Sequence, residues 1–584
     1  MDSTKVIELQ SFGILPDTED DYTEKLNNLF RENPENTVFR FEKGIYRFHH
    51  GSAARRQYAM TSCVPGIRSP LLMLSGMKNV VIDGGGAKFL FYGYVMPFAI
   101  EDCFGITLKN FTVDWEKPTG AEGVVTAKST DYIDVKIDRH LFPCKVQNFS
   151  LFFDIGDGQE SEITYGRHVA YDSQTNTVTQ NCADRIRFRG AEQVSEDVFR
   201  LYVAEVMRDD IPPYVGNTVV LNHSKCSEAG IFAEDCENTV CEDITMHSAD
   251  GIGMLFQFCR GISAKRIDFV PNIAAGRRVI CACDGGFHIA CCSGDVLIED
   301  CRFHGLQNDP VEIHGIYASV KKQTAPDTLL CEFLHPNSTN YKYWAKPGQT
   351  VTFMTRKNMK TAAEAAVKSY RLVADSLFEL VLEAPLPDIN IKNEAILADN
   401  YDNSPSVTVR NNHFGACRAR GLLLVTPKPV VIEDNIFESG GAAIMLSNDT
   451  SFWYNSGCCT DVTVRNNVFS DACFLSTFQF SYAVITVRPD ILRPAADIPF
   501  NRGIVIENNL FMSSDTPILY AFATEGLVFR HNRIFRTDRV PTKYFGKSLF
   551  TLKYCRNALI SDNPTVGGFS LEEMRHESTT FRKK

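Results

Sequence analysis

What the sequence lacks removes several classes at once. No apolar run reaches the roughly 18 residues a membrane-spanning helix needs, so a membrane partner is not expected. Positive charge is in deficit, 60 Lys and Arg against 71 Asp and Glu for a net −11 and a pI near 5.7. Nothing is left over to displace counterions from a phosphate backbone, so nucleic acid is excluded and a neutral substrate fits better. The opening residues Met1 to Leu9 (MDSTKVIEL) lack the basic start, apolar stretch and cleavage site of a signal peptide. The expectation is a cytoplasmic protein, or a secreted or periplasmic one if a leader has been removed. Phosphate-loop, HExxH and G-x-S-x-G motifs are missing, and so is a compact calcium motif. The 19 cysteines include no CxxC pair followed by a second at zinc spacing, so they read as buried apolar fillers and no metal or cofactor is expected.

What is present is a repeat. Alternating β-branched residues, a charged residue or Asn, then an aromatic recur at Val407–Phe414 (VTVRNNHF), Val430–Phe437 (VVIEDNIF), Val462–Phe469 (VTVRNNVF) and Ile504–Phe511 (IVIENNLF). Weaker copies lie upstream at Val80–Gly86, Ile106–Val113, Val240–Met246, Ile262–Phe269 and Val296–Phe303. The first two strong copies start 23 residues apart, about one coil of a parallel β-helix, in which no coil buries its apolar face without neighbours. Asn at each strand end suits a left-handed corner and carries no catalytic meaning. The fold expected is all-β, a right-handed parallel β-helix with two small inserted antiparallel β-barrel modules. The rhythm breaks at about 118–218 and 316–397, where alternating strands lose the Asn corner. The helix then occupies 1–117, 219–315 and 398–584, and the inserts are placed to build a binding surface on one face.

The densest chemistry lies in Cys283–Gly315 (CDGGFHIACCSGDVLIEDCRFHGLQNDPVEIHG). Rungs about 4.8 Å apart bring acids of neighbouring coils to the separations that glycosidase carboxylate pairs use. Asp309, Asp284 and Glu312 are the catalytic candidates, with His288, Asn308 and His314 as substrate contacts. The plainer alternative is that Asp309-Pro310 opens a turn and His314-Gly315 closes one. A second cluster, Leu446–Gly457 (LSNDTSFWYNSG), offers Asp449, Trp453 and Asn455, an aromatic for a sugar's apolar face beside polar groups for its hydroxyls; a loop packed under a neighbouring coil would look the same. Arg420, with Arg418 nearby, either binds a hydroxyl or pairs with an acid, and Glu234 is a further candidate substrate contact.

Four stretches, Val113–Pro118 (VDWEKP), Gln307–Gly315 (QNDPVEIHG), Arg420–Asn435 (RGLLLVTPKPVVIEDN) and Trp453–Gly457 (WYNSG), resemble, in order, glycoside hydrolase family 110, the exo-acting α-1,3-galactosidases. That resemblance implies a β-helix with two inserted barrels and single-displacement, inverting hydrolysis of a terminal α-galactosyl unit without metal. Asp309, His288, Asp449 and Arg420 match the family. Three acidic positions depart: Asn308 replaces the first of a pair of aspartates, Gly285 stands where a carboxylate is usual with Asp284 one place earlier, and Asn455 replaces Glu in Trp-Tyr-Glu-Ser-Gly. Asp309 and Asp284 are the expected working pair, with Glu312 or Asp449 as substitute if Asp284 faces inward. Two other readings stand beside the hydrolase: a polysaccharide lyase or epimerase, with Arg418, Arg420 and Lys428 near a uronate, and an inactive glycan-binding relative. An oligosaccharide or polysaccharide is the expected partner, and a β-helix face or end can also pair with a second copy as a homodimer.

Overall fold

The computed structural model describes every residue except 1–4, 183–185, 387–388, 390, 392–393, 477, 495–496, 514–516, 539–547, 569–573 and 584. Among the described residues two long parallel sheets, of 22 and 12 strands, form the solenoid, the second with one short antiparallel strand beside it. In the second sheet one inward column runs Leu72, Phe98, Ile231, Met254, Phe287, Val311, Leu422, Ile444, Ile485, Leu519 and Phe550, each in register with the next and all buried. Side chains alternate along a strand, so the residue after each of these points outward. This is the parallel β-helix the repeated phrase calls for.

The Asn corner divides its work between two residues. The first of each pair takes the left-handed backbone, Asn411, Asp434, Asn466 and Asn508 having φ of 56°, 57°, 58° and 58°. The second joins a ladder: buried Asn412, Asn435, Asn467, Asn509 and Asn532 each donate through Nδ2 to the Oδ1 of the next, at 2.9 to 3.2 Å, ending at half-buried Asn563. Beside it the aromatics that end each phrase stack from Phe303 through Phe414, Phe437, Phe469 and Phe511, with centroids 4.6 to 5.1 Å apart. All 19 cysteines are free thiols, and all but Cys226 and Cys458 are buried. Among them Cys236, Cys259 and Cys292 point Sγ at a carbonyl of the preceding rung.

Both inserts are antiparallel. The first holds six strands between Gly120–Lys128 and Thr218–Asn222, its edges joined by a bridge between His168 and Ile186, with a three-stranded sheet beside it. The second is a closed six-stranded barrel from Ala318–Ala325 to Ile396–Asn400. Among the described residues no helix is long and apolar enough to cross a membrane.

The division of labour at the corner sets a contrast. Asn467→Ala strips a buried acceptor from Asn435 and three donor contacts, to Ile432, Arg465 and Asn509. It should cost roughly 2–4 kcal/mol in denaturant unfolding. Asn466→Gly, at a left-handed position where glycine is unstrained, should stay within about 1 kcal/mol of wild type. Equal losses in the two variants would contradict the ladder.

Candidate active site

The outward column of the second sheet runs Phe232, Leu255, His288, Glu312, Leu423, Met445 and Thr486. Its ionisable pair is His288 and Glu312, side by side on adjacent rungs. Here a cavity of about 600 Å³ opens, floored by Asp284, His288, Asn308, Glu312, Arg418, Arg420, Leu423 and Met445. The first insert supplies Thr164, Tyr165, Arg167 and Arg187 to its wall, the second His335 and Asn337, and the C-terminal coils Asp449, Trp453, Asn455, Phe480, Arg488 and Asp490. A larger open groove of about 820 Å³ on the first insert, beside Lys136 and Arg278, contains none of the candidate residues.

Glu312 is held from three sides. Its Oε2 lies 3.6 Å from His288 Nδ1 and its Oε1 3.4 Å from His314 Nε2, while Asn455 Nδ2 donates to Oε1 at 3.2 Å. Burial pushes this carboxyl up, but His288, His314 and Arg420 outweigh it and hold the group well below the usual range. Burial lowers His288, with Glu312 and Asp284 opposing. His314 Nδ1 donates to the Gly315 carbonyl at 2.7 Å, turning its Nε2 to His288 Nε2 at 3.0 Å. Among the described residues His288, Glu312 and His314 form the one cluster whose donor atoms converge, within 4.8 Å, as a metal would require. Those atoms are already engaged with one another.

Asp284 faces the cavity, its Oδ2 3.4 Å from Arg167 Nη1 and its Oδ1 accepting from the Gly285 N–H at 2.9 Å. At the next position a Cβ on Gly285 would lie 2.6 Å from the Asp309 carbonyl oxygen. Position 285 therefore takes no side chain here.

Asp309 corrects an expectation. It is 1% exposed and outside the cavity lining, beneath Arg420, whose backbone N–H, Nε and Nη2 donate to it at 3.0, 2.9 and 2.6 Å. Burial pushes its carboxyl up to about 6, with Arg420 opposing. In this structure the carboxylate is paired with Arg420 behind the cavity lining. His314 likewise sits behind the lining. Glu234 shares the outward column of His314 but three rungs away, covered because Gln257 donates to Glu234 at 2.7 Å and to Ala59 O at 2.8 Å. It does not reach the cavity.

The other candidates do come together. Asn308, His288, Arg420, Asp449, Trp453 and Asn455 line one cavity with Asp284 and Glu312. Trp453 packs on His335 with centroids 4.5 Å apart, and Asp449 caps its own loop by accepting from Ser451 and Phe452 N–H at 2.7 Å. Tyr454 turns the other way, its N-terminal neighbours forming the wall while its own ring sits under Arg356. Arg167, His335 and Arg488 were not foreseen, since they stand in insert and loop segments with no periodic pattern. The pocket arginines are largely engaged: Arg187 with Glu205 at 2.6 Å, Arg418 with Gln307 O at 2.6 Å, and Arg488 stacked 4.5 Å from Phe480.

Comparison with known proteins adds the lineage. Residues 121–219 match the family model described as GLAA-B beta-barrel domain I. The chain is 34% identical to alpha-1,3-galactosidase B of Bacteroides thetaiotaomicron, over 97% of this chain and 92% of that one. It is 28% identical to alpha-1,3-galactosidase A of Bacteroides fragilis, over 93% and 89%. Among solved structures an exopolygalacturonase from Thermotoga maritima aligns over 99% of this chain and 91% of its own, at 10% identity and a TM-score of 0.38. With a third of its residues shared along nearly its whole length, the chain belongs to the α-1,3-galactosidase family.

Proposed function

We propose that the protein hydrolyses a terminal α-linked galactose from a glycan, with inversion, using Asp284 and Glu312 as its working carboxylates. The observation that carries this is the cavity floor, where these two acids share one pocket with His288, Asn308 and Arg420 below an aromatic wall. Inverting hydrolysis needs one carboxylate to take a proton from water and one acid to protonate the leaving oxygen. Glu312, held ionised by its imidazole and guanidinium neighbours, suits the base. Asp284 is then the proton donor to the glycosidic oxygen. Asp309 acts by holding Arg420 in place against the floor, from which Arg420 and Asn308 can meet sugar hydroxyls. Trp453 offers its face to the apolar side of a pyranose. A second reading keeps its place because Asn308 stands where the family has an acid: a glycan binder without turnover, which calorimetry beside a product assay would separate.

On a galactosyl-α-1,3-galactose disaccharide both Glu312→Gln and Asp284→Asn should lose roughly 10²–10⁴-fold in kcat. With a nitrophenyl leaving group, which needs no protonation, Asp284→Asn should recover most of its activity and Glu312→Gln should not. The reverse pattern would exchange the two roles. Proton NMR of early turnover should show the β-anomer of galactose first; the α-anomer first would refute inversion. Asp309→Asn removes the charge that accepts three bonds from buried Arg420 and should cost about 3–5 kcal/mol in unfolding, against under about 1 for Asp284→Asn. A fully stable but inactive Asp309→Asn would return Asp309 to the catalytic pair.

A further inference from the structure

We infer that Asp399, on the last strand of the second barrel, is a positioning residue for Glu312, acting through Ser456 and Asn455; this rests on the reading of Glu312 as the base. Strand Val311–Ile316 carries Glu312 on the cavity floor and runs straight into the second barrel. The loop from Ser447 returns against its far end as a two-residue strand, Asn455–Ser456, antiparallel, with Ser456 opposite Gly315 and Asn455 opposite Ile316. One more bond, Tyr317 N–H to Tyr454 O at 2.9 Å, continues the pairing.

This short pairing is pinned from the barrel side. Asp399 is 8% exposed, and its Oδ1 accepts from Ser456 Oγ at 2.5 Å. The hydroxyl crosses directly over Gly315, where a Cβ would come 2.3 Å from it, so only glycine permits the contact. Fixing Ser456 fixes its neighbour, and Asn455 donates through Nδ2 to Glu312 Oε1 at 3.2 Å. A carboxylate buried among Tyr317, Cys291 and Cys458 is expensive, and burial pushes Asp399 up to about 6 with the Ser456 hydroxyl alone pulling it down. The Ser456 hydroxyl therefore ties the buried Asp399 side chain to this loop. The second barrel thus reaches the reacting carboxylate through three residues, without contributing a group that touches substrate.

An amide N–H on a carboxylate favours its ionised form. Loosening the relay should raise the pKa of Glu312, which otherwise faces His288, His314 and Arg420 together with the charge of Asp309. The experiment is the pH dependence of kcat and KM on a nitrophenyl α-galactoside, with thermal melts alongside, for Ser456→Ala, Asp399→Ala, Asp399→Asn, Asn455→Ala and the double variant Asp399→Ala with Asn455→Ala. Ser456→Ala and Asp399→Ala should each lower kcat roughly 10- to 100-fold, keep KM within about twofold and move the acid limb to higher pH. Asp399→Asn, which keeps an acceptor, should restore both rate and limb. The double variant should fall no lower than Asn455→Ala alone. Losses that add in the double variant, or an unmoved acid limb in both Ser456→Ala and Asp399→Ala, would overturn the relay. If Asp399→Ala does not fold, Ser456→Ala and the double variant Ser456→Ala with Asn455→Ala decide it. Near wild-type turnover in Glu312→Gln would instead remove the reading of Glu312 as base, whatever the relay variants do.

Discussion

Everything at this site depends on in-register stacking of the solenoid's rungs. Because side chains alternate along a strand, a slip of one residue would turn a whole rung inside out. The pairing of Phe287 with Val311 prevents that, since both belong to a fully buried column whose misplacement would expose apolar surface on every coil. The same pairing sets His288 beside Glu312 on the outside. Core packing thus decides the geometry of the polar pair before any polar contact forms. The asparagine and phenylalanine ladders at the opposite sheet reinforce that register by repeating one hydrogen bond and one ring contact per coil.

Once the register is fixed, the electrostatics follow from who is buried with whom. Two carboxylates lie within the floor's reach of Arg420, and they are treated differently. Asp309 takes three donors from that one residue and is sealed off. Breaking such a buried pair costs about 3–5 kcal/mol, which is why it is better suited to hold a guanidinium than to give up or take a proton each cycle. Glu312 is surrounded by imidazoles and one side-chain amide, with an open side toward the cavity. It keeps its charge while leaving an oxygen available.

The solenoid was legible because each coil repeats the same physical need, an apolar face with a tight corner, so that the phrase recurs at Val407, Val430, Val462 and Ile504. The double role of the Asn pair was not, since one letter serves both the left-handed corner and the ladder, and only their order separates Asn466 from Asn467. Asp284, His288 and Glu312, dense in sequence, lie together on one cavity floor, and the Asp449–Asn455 loop contributes to its wall. The burial of Asp309 was not legible because a sequence shows an acid next to a proline but not the arginine 111 residues later that pairs with it. Glu234 was misplaced for a similar reason: its column faces outward, but the chain at Ala59 and Thr61 folds over that rung through Gln257. Arg167 and His335 lie in inserts, where no repeat predicts which side chain returns to the solenoid.

Positions 285, 308 and 455 can now be weighed together. A carboxylate at 285 has no room, so Asp284 carries the charge on that rung. Asn308 faces the cavity beside it, donating its backbone N–H to the Asp284 carbonyl at 3.3 Å, and a second acid there would set like charges on adjacent rungs. At 455 the amide matters for what it can donate: a carboxylate in its place could bond to Glu312 only by holding a proton, whereas Asn455 offers an N–H to an ionised partner at any pH. With glycine at 285 and amides at 308 and 455, the negative charge of the floor is concentrated on Asp284 and Glu312.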